Sequence, residues 1–205
     1  MNIMYDRGED EAVPDTNDYS QFHLAAEALR AGLEDIQGSP ADGGAVTMLV
    51  VRPAIEARRT ADEVTVDVGA GVIGDSWRER GSSRTPDGSA NLEDQVTVMN
   101  ARAALLMAGS TDRMPLAGDQ IYADLDLSTD NLPTGTRLEI GTAILEVTAL
   151  PHTGCAKFTQ RFGVDAVRLT ATPEGRFLRL RGINTRVVRG GAIRVGDTVR
   201  VVRPV

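Results

Sequence analysis

Short runs of alternating apolar and polar residues, each stopped by glycine, constrain this chain more than any other feature. Over residues 137–147 two such arms flank Gly141-Thr142, and over residues 192–201 two flank Gly196-Asp197. Alternation with a period of two is what a half-buried strand requires, and a glycine-containing pair between arms signals a hairpin turn. Residues 46–51 form an apolar run ended by Arg52-Pro53, Val64, Val66 and Val68 alternate with polar neighbours, and residues 95–99 read as a further strand. Helical spacing is confined to residues 22–36, 101–108, and a pair of short segments, 155–162 and 164–171, around Gly163. This order predicts a mainly β fold, a β-barrel carrying a few short helices, rather than a parallel βαβ fold.

With 205 residues, 41% of them hydrophobic, the chain can build its own core without disulfides or a structural metal. No apolar run approaches the roughly 18–20 residues of a membrane span, and the first thirty residues show no basic-then-apolar leader, so a cytoplasmic protein without a membrane partner is expected. One cysteine, Cys155, leaves no intramolecular disulfide and no CxxC zinc site, and two histidines, His23 and His152, leave no histidine-rich metal centre. Three stretches follow: residues 1–18, an acidic arm with six acids against Arg7; residues 19–45, a short helix and linker; and residues 46–205, the barrel domain. Residues 69–88 hold five glycines and Pro86 and read as a long loop, in which Trp77 is a pocket rim or an anchor. Asp75 and Asp119 each follow a glycine and read as turn formers.

The overall charge of −7 hides an asymmetry, because residues 150–205 carry eleven bases against three acids. An anion-binding face or arginines on the solvent side of strands would both produce it. Nucleic acid is not the expected partner: the whole chain is acidic, and the basic segment has only Phe158, Phe162 and Phe177 for stacking.

The chemistry concentrates at His152-Thr-Gly-Cys155-Ala-Lys157-Phe158. Thr153 can cap a helix and so place Cys155 in its first turn, where the positive helix end together with Lys157 and Arg161 favours a thiolate. A thiolate there is a nucleophile, a sulfur carrier or a soft-metal ligand; an inert packing cysteine is the competing reading. His152 can orient the thiol or exchange protons, or simply bond a backbone carbonyl.

This segment resembles the signature of MOSC domains, the C-terminal domain of molybdenum cofactor sulfurases and their free-standing bacterial-type relatives. Gly71-Val-Ile-Gly-Asp75, Gly118-Asp-Gln-Ile121 and Arg181-Gly-Ile183 with the stretch from Gly191 to Asp197 are similar to further family segments, in the same order over about residues 46–203. The resemblance implies a MOSC-type barrel with Cys155 as catalytic residue and molybdenum ligand, His152 beside it, and Lys157, Arg161, Arg58, Arg52, Thr153 and Gly154 around the cofactor. Its implied cofactor is molybdenum cofactor (molybdopterin), and its implied partner a sulfur donor such as a cysteine desulfurase, since no lysine here fits a pyridoxal-phosphate site. Three functions remain open: cofactor binding or sulfur carriage on a Cys155 persulfide, cofactor-dependent reduction of N-hydroxylated compounds, and a non-catalytic binding module. The reductase relatives carry His-Gly-Gly where this chain reads Ser76-Trp-Arg-Glu-Arg80 onward.

Overall fold

Seven strands close on one another in the computed structural model, which describes residues 18–204. Around the barrel they run β1 (Gly44–Val51), β6 (Ile121–Asp124), β5 (Val96–Asn100), β9 (Ile183–Arg189), β8 (Ala143–Val147), β7 (Arg137–Ile140) and β11 (Thr198–Val202), and β11 pairs back to the start of β1. The short β2 (Arg59–Ala61) pairs with the far end of β1. A separate three-stranded sheet holds β3 (Glu63–Asp67) between β4 (Gly71–Val72) and β10 (Gly191–Arg194). Closure removes the sheet edges that a flat β protein must protect.

The hairpin around Gly141-Thr142 is present as β7 and β8. The second expected hairpin is not. The arms on either side of Gly196-Asp197 pair elsewhere, β10 with β3 and β11 with β7 and β1. Alternation marks each arm as a strand but says nothing of its partner, and here the Asp197 carboxylate, accepting from the Arg194 amide at 2.7 Å, turns the chain from one sheet to the other.

One parallel crossover is built into this otherwise antiparallel barrel. β5 leads through α4 (Ala101–Ala108) and a 3₁₀ segment, Thr111–Ala117, into the parallel β6. Asn100 caps α4, its side chain accepting from the Ala103 amide at 2.9 Å, and Gly109 ends it. The wall of β1, β6 and β5 is therefore apolar on both faces. Leu49, Val98 and Ile121 face the barrel interior, while Val50, Met99 and Tyr122 lie under a helical layer.

That layer comprises α1 (Ala26–Ala31) and α2 (Leu33–Gln37), interrupted at Gly32, with α4, α5 (Ala156–Phe162), α6 (Val164–Ala171) and α7 (Pro173–Phe177). Leu29, Leu33 and Ile36 are buried in the same core as Phe158, Phe162 and Leu169, so residues 26–37 pack as part of the body. Gly163, at φ +90, separates α5 from α6 with a backbone conformation that a side chain would strain. The long loop contains β4 and the short α3 (Trp77–Arg80), held by Trp77, which is buried and donates its indole N–H to Asp94 at 3.2 Å. Of the acidic arm only Asp18 falls within the described residues. No helix among them is long and apolar enough to cross a membrane.

Candidate functional site

Three successive carbonyls of the turn before β6 each accept from a different arginine. Arg161 donates to Leu116 at 2.9 Å, Arg181 to Ala117 at 2.9 Å, and Arg52 to Gly118 at 2.8 Å. The arginines come from α5, the segment before β9 and the end of β1, so the turn ties three distant parts of the chain together. Asp119, the next residue, is wholly buried and takes a 2.6 Å bond from Arg181. Burial pushes its carboxyl up, with the Arg181 guanidinium pulling against that. Its other oxygen stands 3.4 Å from His152 Nδ1, too long for a strong hydrogen bond. Burial, then the positive charges of Arg181, Arg52 and Arg84, hold His152 well below 6.5, so the ring is neutral at pH 7.

Arg52 is bound on every side. Its guanidinium forms a two-pronged bond to Asp75 at 2.9 and 3.0 Å, in addition to Gly118. Asp75 also accepts from the Arg52 and Trp77 amides, at 3.0 and 2.9 Å. Asp75 and Asp119 are therefore buried counter-ions, which the turn reading understated.

Cys155 is exposed, and it is the N-cap of α5 rather than a first-turn residue. Thr153 makes no cap; the helix starts later than the Thr153 reading placed it, with the Cys155 carbonyl accepting from the Thr159 amide at 3.0 Å. Lys157 and Arg161 extend from the same helix, and both bind the Glu56 carboxylate. The Lys157 bond, with the charges of Arg161, Lys157 and Arg58 adding to it, holds the Glu56 carboxyl below its usual range against an opposing effect of burial. Glu56 has a left-handed backbone, φ +61, seldom adopted by a residue with a long side chain.

Arg58 is the least satisfied cation of the group. Its one hydrogen bond among the described residues is a 3.3 Å contact to the Ala57 carbonyl, and its buried Nε has no partner. Burial, and the repulsion of Arg161 behind it, lower its ionisation, yet an arginine stays charged at pH 7.

The structure thus gathers Arg52, Arg58, Arg161 and Lys157 near one carboxylate and one turn, with Cys155 at the head of the helix that carries two of them. His152, Thr153 and Gly154 line a cavity of about 620 Å³ on which Cys155 does not border. Glu56, which docks from the loop after β1, carried no motif in the sequence; Asp119 and Arg181 stood inside quoted motifs, with no sign that they would pair. Of the other eight C-terminal arginines, four form surface ion pairs among the described residues, Arg168 with Asp165, Arg186 with Glu146, Arg194 with Glu63 and Arg200 with Glu139.

The family model of the MOSC domain matches residues 74–200, the span that holds Asp75, Asp119, Cys155 and Arg181. The chain belongs to the MOSC family. This MOSC domain resembles the crystal structure of the YuaD protein from Bacillus subtilis at a TM-score of 0.56 and 20% identity, over 77% of this chain and 94% of that one. It resembles YiiM from Escherichia coli at 0.52 and 16%, over 78% of this chain and 71% of that one. Likenesses at such identities concern the fold. No curated protein matches. Membership places the MOSC barrel in a family associated with molybdenum-cofactor binding.

Proposed function

We propose that this MOSC domain binds molybdenum cofactor, or carries sulfur as a persulfide, at Cys155. The carrying observation is that the sole cysteine is exposed at the start of α5, while Arg58, in the cationic cluster that Arg161 and Lys157 of α5 form around Glu56, has unused donors. An exposed thiol speaks against an inert packing residue. The residues fit the cofactor's chemistry. Among the described residues no three His, Cys, Asp or Glu side chains converge to hold a bare metal, whereas a cofactor that brings its own sulfur ligands needs only one from the protein.

Cys155 would supply that thiolate, and Arg58, Lys157 and Arg161 would hold the phosphate of the pterin tail, displacing Glu56 from the two α5 cations. His152 is neutral and can accept or return a proton near the thiol loop. When bound, the cofactor supplies two-electron redox chemistry at molybdenum. For sulfur carriage, the Cys155 thiolate attacks the outer sulfur of a donor persulfide and the donor leaves as a thiolate; a cysteine desulfurase is the class of partner that presents such a persulfide.

The test is metal, pterin-fluorescence and intact-mass analysis of freshly purified protein beside Cys155→Ser and Arg58→Ala. Molybdenum with pterin, or a gain of about one sulfur mass removed by reductant, present in the wild type and lost in Cys155→Ser, supports the reading. After incubation with cofactor and with a loaded desulfurase, a wild type that gains neither overturns it.

A further inference from the structure

The 620 Å³ cavity lies between residues 148–154, α6, α7 and the segment leading into β9. Its size falls in the range of small-molecule sites. Among the described residues that line it, none is an aspartate or a glutamate, in a chain that has 29 of them. Three arginines face it instead: Arg176, Arg179 and Arg181.

Their charges are not equally available. Arg181 is neutralised by Asp119 at 2.6 Å. Arg176 is exposed and has no ion pair or side-chain hydrogen bond among the described residues. Arg179 is half-buried and, among the described residues, its guanidinium donates only to carbonyls, to Leu132 at 2.6 Å and Leu127 at 3.4 Å. Its backbone is left-handed, φ +49, a conformation that non-glycine residues keep only when their surroundings impose it. A half-buried guanidinium held by carbonyls keeps its positive charge, which stays available to an incoming anion. The remaining walls divide between hydroxyls, such as Thr153 and Thr170, and apolar groups, Leu150, Val167 and Ile183. His152 is neutral and adds no charge.

We propose that this cavity binds a small organic anion, with Arg176 and Arg179 taking a carboxylate or phosphate and Leu150, Val167 and Ile183 enclosing an apolar body. The cavity shares His152, Thr153 and Gly154 with the cofactor reading, but the anion contacts do not rest on it, because Cys155, Arg58, Lys157 and Arg161 do not line it. An anion held here lies against the segment that ends at Cys155 and so sits beside the thiol loop.

Calorimetric titration of the full chain with benzoate, phenyl phosphate and the neutral benzamide tests this directly. At least one anion binds, about tenfold or more tighter than benzamide, and the tighter of the two identifies the preferred oxyanion. Arg176→Gln, a surface change that leaves the fold intact, weakens that binding about fivefold or more, and Cys155→Ser leaves it unchanged. Arg179→Asn, which tolerates the left-handed backbone, gives a second reading wherever its melting temperature stays near that of the wild type. Failure of both anions to bind, equal binding of benzamide, or indifference to Arg176→Gln would each overturn the proposal. Loss of binding in Cys155→Ser would overturn its independence from the thiol site.

Discussion

Asp119 and Arg181 meet at 2.6 Å with both side chains out of solvent, joining segments 62 residues apart. Arg181 also stands 4.7 Å over the Phe158 ring, so the pair links β6, the start of β9 and α5. Removing the carboxylate with Asp119→Ala leaves a buried guanidinium uncompensated, which costs about 3–5 kcal/mol. Urea unfolding of variant and wild type measures it. A loss under about 1 kcal/mol would show that the pair is not the anchor of this corner.

The neutral, half-buried His152 makes stability depend on pH in a definite direction. Its folded value lies well below 6.5, so the unfolded chain binds the extra proton. That contribution is complete above about pH 6.5 and is lost as the pH falls below it, at up to about 1.4 kcal/mol per pH unit. Asp119 has the opposite sign, because a carboxyl raised by burial loses stability as pH rises through its folded value. Comparing wild type with His152→Gln between pH 5 and 7 isolates the histidine: the wild type loses stability on acidification and the variant loses less.

Glu56 occupies the cations that an incoming phosphate would need. Glu56→Gln removes the negative charge from Lys157 and Arg161 at an exposed position, so stability changes by no more than about 1 kcal/mol. Phosphate affinity, measured by calorimetry at low salt, rises severalfold and declines again as salt is added. An unchanged affinity would remove Lys157 and Arg161 from the anion site.

Gly175 lies inside α7, packed against the last turn of α6. A Cβ there would come 2.0 Å from the Leu169 carbonyl oxygen, a backbone atom with little room to move. Gly175→Ala therefore destabilises the protein by about 1–3 kcal/mol and distorts the α6–α7 wall of the anion cavity. Denaturant unfolding checks the first effect and benzoate titration the second; a variant as stable as the wild type would show that the helix junction can yield.

Local elements were well marked in the residues. The β7–β8 hairpin, the strand beginning near Val46, and the helix pair split at Gly163 all appear where alternation, helical period and glycine placed them. Alternation carries no information on which strand lies beside which, and this is why β10 and β11 looked like one hairpin but belong to two sheets. The β5–α4–β6 crossover was hidden for a related reason. β6 has only four residues and no alternation, because both its faces are buried.

The candidate site divides in the same way. Cys155, His152 and the cations of α5 could be picked out from residue type and spacing alone, since reactivity belongs to the side chains and their near neighbours. The partners of those side chains could not. Asp119 faces His152 from 33 positions earlier, and Glu56 reaches Arg161 across 105. By itself the sequence determined that the chain forms short glycine-bounded strands and carries a single thiol. Tertiary structure decided which arginines are neutralised and which stay free, because a charge is silenced or exposed only by what the folded chain packs against it.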